Sequence, residues 1–307
     1  MTKFSVLIPA YKRKYLKEAI DSILLQTYCH FELIIVDDAS PEDIKSVIAE
    51  YHDDRIRYFR NEKNCGAINV VDNWNICLAY TQGDYVICMG DDDRMLPCCL
   101  EEYCNLIEKY PGIGLLHGWT EIIDEDSNVI RLTAHRCEYE SAVSLSWHRW
   151  NVYTEQYIGD FCFNTSWLKQ NGGFYKLPLA WGSDDISAII GASLNGVANT
   201  QKVVFQYRRN RQTISTTGNI NIKIKAILEE KKWYTDYLRN EFDNEIDALY
   251  SSQMNEILLH YYEKKICNLI AIDIKKSKFR FLWWLIYKKN YHLNMKAIAY
   301  ALIQSFK

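Results

Sequence analysis

The sequence predicts an α/β fold, a mostly parallel sheet with helices on both faces, followed by a helical, basic extension. Three observations predict it. Short apolar runs alternate with helical patterns through the first third; two of those runs end in clustered aspartates; and after about residue 218 long helical patterns with few breakers take over. The 307 residues, 36.1 kDa, have room for one large domain or a domain plus an appendage. With 48% hydrophobic and 24% charged residues the composition is that of an ordinary globular chain, which excludes disorder, collagen and a disulfide-stapled mini-domain.

The elements follow in order. FSVLIP (4–9) is a continuous apolar run of buried-strand type, and Leu16, Ala19, Ile20, Ile23 and Leu24 mark one face of a helix within 15–26. FELIIV (31–36) is the next strand. Pro41 with Glu42 and Asp43 then opens a helix in the favoured first-turn arrangement. RIRYF (55–59) is a strand, 68–80 a helix, DYVICM (84–89) a strand, 97–110 a helix, and IGLLHGW (113–119) a further strand. Beyond the first domain, 222–242 and 245–272 read as long helices.

Charge is unevenly spread. The net charge of −3 conceals ten Lys/Arg against the single acid Asp273 between 264 and 307, and −12 on the remainder. An acidic body argues against a generic nucleic-acid binder. The first residues, MTKFSVLIPAYKRK, hold too short an apolar run for a secretory leader, and ten cysteines without a CxxC pair read as reduced thiols rather than a zinc site. The expectation is a folded intracellular protein, soluble or peripheral.

Open parallel sheets bind ligands beyond the carboxyl ends of their strands. Here one such end carries Asp37-Asp38 and another Gly90-Asp91-Asp92-Asp93. The first pair would serve equally as turn or cap residues. Three consecutive aspartates repel one another unless a cation neutralises them, and their hard oxygens suit Mg²⁺ or Mn²⁺ shared with substrate phosphates. No GxxxxGK[ST] and no GxGxxG follows the first strand, so a diphosphate would be handled through the metal. This chemistry is that of a nucleotide-sugar enzyme.

SVLIPAYKR (5–13), QTYCHFELIIVDDAS (26–40), GDYVICMGDDDRMLP (83–97) and GGFYKLPLAWGSDD (172–185), in that order over residues 3–215, resemble glycosyltransferase family 2. The resemblance implies the GT-A fold, inverting transfer from a nucleotide sugar, and assistance by Mn²⁺ or Mg²⁺. It implies that Pro9, Ala10 and Tyr11 line the nucleotide pocket and that Asp38 accepts a hydrogen bond from the base, often uracil, as an acceptor-only carboxylate can. It places Asp92 on the metal-ligating position, Asp91 beside the ribose or metal, and Asp93 on the aspartate that commonly follows.

Two departures stand out. Gly90 occupies a position where the family commonly has aspartate, and Trp74 stands where it usually has arginine. The pyrophosphate would then rely on the metal, Arg13 or the YRRNR segment, with Arg208 or Arg211 as clamps. The family's general base comes from an acidic pair after a GGF segment, here Asp184-Asp185, with Asp185 the first choice and Asp184 the second. Either would also serve in the first turn of a helix. His117, His135 and His148 show no ligand spacing, and Trp119, Trp147 and Trp150 read as core, whereas Trp181 could stack on an acceptor sugar.

In the tail, FLWWLIY (281–287) is too short to span a bilayer, while Lys/Arg interleaved with Trp, Phe and Tyr over 275–307 suit either an anionic membrane surface or docking onto protein. The expectation is thus a GT-A domain at 1–218 and a helical extension at 219–307. The enzyme would move a hexose or N-acetylhexosamine from a UDP-sugar to a saccharide acceptor, often lipid-linked, in bacterial surface polysaccharide synthesis. Such an enzyme would work in the cytoplasm or on the inner face of the plasma membrane. A nucleotidyltransferase and a catalytically inactive scaffold are the rivals.

Overall fold

A computed structural model describes residues 1–210, 219–291 and 293–306, the side chain of Asn290 excepted. The chain forms two compact units, Met1–Lys176 with Ser183–Thr213, and Leu177–Gly182 with Ile214–Lys307.

The first unit is built on a ten-stranded sheet. Strands β1 (Phe4–Ala10), β2 (Phe31–Asp37), β3 (Ile56–Arg60) and β4 (Tyr85–Cys88) are all parallel, in the order β3-β2-β1-β4. Register sets Ala10 beside Asp37 and Asp37 beside Arg60, so these strands end on one edge. The helices between them are α1 (Leu16–Leu24), α2 (Ile44–Ile48) and α3 (Val70–Ala79). On one face of β1, Phe4, Val6, Ile8 and Ala10 join a core with Leu16, Ala19, Ile20 and Ile23 of α1, the residues whose spacing marks the helix in the sequence.

The sheet is mixed in its second half. β5 (Arg94–Met95) and α4 (Cys99–Lys109) lead to β6 (Leu115–Ile123), β7 (Val129–Leu132), β8 (Tyr139–Glu140), α5 (Ala142–Trp150) and β9 (Phe161–Asn164). β9 runs antiparallel between β4 and β6. It arrives from the β6–β7 hairpin, β8 and α5 rather than from a βαβ crossover, so nothing obliges it to run parallel. After α6 (Thr165–Gln170) and α7 (Ser183–Ala192), β10 (Val197–Arg208) lies parallel to β6 and carries the chain back to the edge holding the aspartates.

Among the described residues, the α-helices of the second unit are α8 (Ile220–Tyr237), α9 (Glu245–Lys276), α10 (Arg280–Tyr287) and α11 (Met295–Gln304). Asn244 caps α9, with acids in its first turn and Lys275 and Lys276 in its last, as the helix dipole favours. Glu230 of α8, 1% exposed, accepts both hydrogen bonds from Lys265 Nζ of α9, at 2.9 and 2.8 Å. Residues Leu177–Gly182, which lie inside the 1–218 stretch read from the sequence as one domain, join this unit. Lys223 sits 4.6 Å over the Trp181 ring, and a Cβ on Gly182 would come within 3.0 Å of the Glu230 carboxyl. A six-residue loop joins whichever core buries its side chains, and linear order does not reveal which.

Candidate active site

The acidic loop after β4 is fastened to the loop after β1. Asp91 Oδ2 accepts the backbone N–H groups of Tyr11 and Lys12, each at 2.7 Å. Burial, reinforced by the charge of Asp92, lifts the Asp91 carboxyl to about 6 against the pull of those two donors. Pro9 and Ala10 end β1, Ala10 buried and the Tyr11 ring exposed.

The other two aspartates converge. A Cβ built on Gly90 would lie 2.9 Å from Asp93 Oδ2 and 3.0 Å from Asp92 Oδ1, so both carboxylates crowd the space above that glycine. An aspartate at 90 would put its stem into that space, and the two carboxylates would have to move aside. Burial raises the pKa of both Asp92 and Asp93; for Asp93 the charge of Asp92 adds to it, and for Asp92 the charges of Lys12 and Arg208 oppose it. Two hard oxygens in a buried cradle fit a divalent cation by donor type. Among the described residues no group of three or more His, Cys, Asp or Glu side chains is placed to hold a metal ion, so substrate oxygens would have to complete the shell.

Arg208 occupies the middle of this arrangement. It is 1% exposed; its backbone N–H donates to Asp93 Oδ1 (2.9 Å) and its Nε to the Asp92 carbonyl (2.8 Å). The remaining guanidinium nitrogens reach Asp124 O, Ser127 Oγ and Glu18 Oε2, and the Tyr15 ring lies 4.1 Å below. The sequence reading offers Arg208 as a diphosphate clamp; the structure turns its guanidinium to the protein's own oxygens, holding the acidic loop. Asn210 Nδ2 donates to Asp92 Oδ2 at 2.5 Å. Arg211, the other clamp candidate, lies outside the described residues. Arg13 donates its backbone N–H to Glu42 (2.6 Å) and lines a shallow depression with Lys14 and Lys17.

The adjacent aspartates after β2 divide their work. Asp37 is fully buried and accepts from Tyr58, Arg60 and the Ser40 N–H, so it is a structural anchor. Asp38 Oδ1 accepts from Asn61 Nδ2 (2.8 Å), and the Cys65 N–H reaches both its oxygens at 3.0 and 3.1 Å. The loop 61–65 is therefore part of the site's support, a role sequence reasoning missed because an isolated Asn61 reads as an ordinary loop polar residue and the Cys65 N–H leaves no residue-type signal.

Trp74 is core, edge-on to Phe174 with centroids 5.9 Å apart. Its neighbour Asn75 donates to the Phe174 carbonyl (3.0 Å) and accepts the Phe174 N–H (2.8 Å). This stretch anchors the GGF segment that leads towards α7.

Asp184 and Asp185 stand in the first turn of α7. Asp185 is 7% exposed, and its Oδ1 accepts from both Arg149 Nε (2.9 Å) and Gln156 Nε2 (2.8 Å). Burial and the charge of Asp185 lift Asp184 to about 7, with Arg149 opposing. Arg149 and Gln156 come from the 120–170 stretch, where nothing in the sequence singles them out. The strap carrying Gln156 continues to Gly159, whose Cβ would sit 3.4 Å from Asp93 Oδ2. One short segment thus holds Asp185 and passes beside Asp93.

Residues 5–168 match the family model described as Glycosyl transferase family 2. The chain is 30% identical over 131 residues to the UDP-Glc:alpha-D-GlcNAc-diphosphoundecaprenol beta-1,3-glucosyltransferase WfgD of Escherichia coli, over 42% of this chain and 50% of that protein. It is 33% identical over 138 residues to the GalNAc(5)-diNAcBac-PP-undecaprenol beta-1,3-glucosyltransferase of Campylobacter jejuni, over 38% and 44% respectively. The match spans half or less of the length of these curated relatives. Among solved structures, S. aureus TarS 1–349 in complex with UDP-GlcNAc superposes with a TM-score of 0.67 at 15% identity, covering 99% of this chain and 90% of that one. The mannosyltransferase PcManGT of Pyrobaculum calidifontis, in complex with GDP-Man and Mn²⁺, gives 0.51 at 16% identity, over 100% of this chain and 86% of that one. These likenesses are ones of fold, the α/β GT-A architecture.

Proposed function

The chain belongs to glycosyl transferase family 2, and from that premise we propose that it transfers a hexose or N-acetylhexosamine, with inversion, from a UDP-sugar to a lipid-linked saccharide in bacterial surface polysaccharide synthesis. Such an acceptor would place the reaction at the cytoplasmic face of the plasma membrane. The observation that carries the proposal is the strap 156–160, which joins a carboxylate cradle at Asp92–Asp93 to an acidic pair at the start of α7. A nucleotide-sugar transferase needs both: a place for the diphosphate and a base for the acceptor.

In this reading Pro9, Ala10 and Tyr11 line the nucleotide pocket and Asp38 accepts from the base, its carboxylate oriented by Asn61 and the Cys65 N–H. Asp92 and Asp93 would hold Mn²⁺ or Mg²⁺, which supplies charge neutralisation for the diphosphate leaving group. Asp91 sets the distance between the two loops, and Arg13 and Arg211 are the cations left for the phosphates. Asp185 takes the proton of the attacking hydroxyl, its carboxylate aimed by Arg149 and Gln156. Asp184, lifted to about 7, is the alternative base. Both names of the bacterial relatives above specify diphosphate-linked undecaprenol acceptors and so support the lipid-linked class.

Thermal shift against UDP, GDP, CDP and TDP, each with and without Mn²⁺, tests the reading. Nucleotide at a hundred times its Kd adds about 2.7 kcal/mol. A shift with UDP that requires Mn²⁺ supports Asp38 and the Asp92–Asp93 cradle. A shift with another nucleotide overturns the base assignment, and none with any of them overturns the donor site and favours an inactive scaffold.

A further inference from the structure

The second unit carries a surface that the transfer reaction does not use. On α10, Phe279, just before the helix, and Leu282 and Ile286 within it recur three and four residues apart and are 85%, 58% and 73% exposed. That spacing puts them on one helix face. The opposite face is anchored. Trp284 is fully buried and donates its indole N–H to Asp273 Oδ2 at 2.9 Å, where Arg280 Nε also donates at 2.7 Å.

α11 repeats the pattern. Ala297, Ile298 and Ala301 face inward, while Met295 and Ile303, with Phe306 just past the helix, are exposed. The two helices are pinned antiparallel at both ends. Lys278 Nζ donates to the Ser305 carbonyl (3.1 Å) and lies 3.7 Å over the Phe306 ring; Lys288 Nζ lies 2.8 Å from Met295 Sδ. Each helix of this hairpin therefore carries an exposed apolar stripe of its own.

Its charge has one sign. From 274 to 307 the sequence holds eight Lys/Arg and no acidic residue, and Asp273 just before it is buried under Arg280 and Trp284. Apolar side chains standing out between cations match the physical demands of an anionic bilayer surface. The side chains enter the acyl boundary, and long lysine stems reach back to the headgroups. A protein partner would need an acidic rim to offset the same cations.

We propose that the α10–α11 hairpin is a membrane-docking surface that takes the headgroup region of an anionic bilayer. The proposal deepens the lipid-linked-acceptor reading, and it rests on that reading only for its purpose, because docking is measured without substrate.

The test is sedimentation of the full chain with phosphatidylcholine vesicles, with and without phosphatidylglycerol. Binding is expected only where phosphatidylglycerol is present and is expected to fall as salt rises. Leu282→Ser with Ile286→Ser should weaken it on the order of tenfold or more. Lys289→Gln with Lys296→Gln should weaken it roughly tenfold or more, at about 1 kcal/mol per cation. All four positions are exposed, so circular dichroism and the nucleotide-induced thermal shift should be unchanged. Equal binding to neutral and anionic vesicles, no binding, or binding indifferent to both variants would overturn the proposal. So would a concentration-dependent dimer abolished by Leu282→Ser with Ile286→Ser, which would give the face to a second copy. A chain that docks on vesicles and binds no nucleotide keeps the surface and loses the enzyme reading.

Discussion

Arg149 and Asp185 meet through Nε and Oδ1 at 2.9 Å, and Gln156 donates to the same oxygen at 2.8 Å. One oxygen of a nearly buried carboxylate is thereby fixed by a cation and an amide from outside its own helix. Replacing Arg149 by Met removes the charge that opposes burial at Asp184, so the pKa there rises above about 7. The acid limb of the transfer-rate profile should move to higher pH, with stability falling about 2 kcal/mol for the lost charged hydrogen bond. A pH–rate series on Arg149→Met checks it; an unmoved limb separates Arg149 from the pair.

Asp184 itself should impose a pH dependence on stability. Its carboxyl is lifted from 3.8 to about 7 in the folded chain. Between those values the folded state holds a proton that the unfolded state releases, so stability falls as pH rises. This contribution is fully present below about pH 4 and gone above about pH 7, on the order of 4 kcal/mol in all. Urea unfolding at pH 5 and pH 8 should show the difference for the native chain and a reduced one for Asp184→Asn.

Gly90→Asp restores the residue the family commonly has there. The new Cβ meets Asp93 Oδ2 at 2.9 Å and Asp92 Oδ1 at 3.0 Å, and a fourth carboxylate joins three that already repel. Without metal the variant should lose about 2 kcal/mol by overpacking alone and more at pH 8 than at pH 5. Unfolding midpoints at the two pH values measure this, and Gly90→Ala isolates the steric part. Midpoints equal to those of the native chain would mean that both carboxylates swing aside without cost.

Arg208→Lys should not be conservative. The guanidinium fork reaches Asp92 O, Asp124 O, Ser127 Oγ and Glu18 at once, and an ammonium cannot span them. A loss of about 3 kcal/mol or more is expected, with Arg208→Ala at least as severe. Denaturant melts decide the matter. A stable Arg208→Lys that fails only in nucleotide binding would instead return Arg208 to the donor.

Much of the fold was legible because strands buried on both faces must be continuous apolar runs. FSVLIP and FELIIV coincide with β1 and β2, and the spacing of Leu16, Ala19, Ile20 and Ile23 gives the buried face of α1. Neither β9 nor its antiparallel course was legible, since FCFN is too short a run to mark a strand and an apolar run carries no direction. Nor was the departure of Leu177–Gly182 to the helical unit, since a loop's own residues do not name the core they join.

The candidate site divides in the same way. Local sequence determined its acids, because carboxylates at strand ends and in a helix's first turn are set by the residues beside them. Asp38, Asp91, Asp92, Asp93, Asp184 and Asp185 could all be named from linear motifs. Their partners depended on tertiary structure. Arg208 meets Asp93 across 115 positions, Asn75 meets Phe174 across 99, and Arg149 meets Asp185 across 36. A hydrogen bond between distant segments is made by the packing of the elements that carry them, and it leaves no trace in the spacing of either. Sequence therefore established which groups carry the charge, and the fold alone decided which of them are held, lifted in pKa or spent as struts.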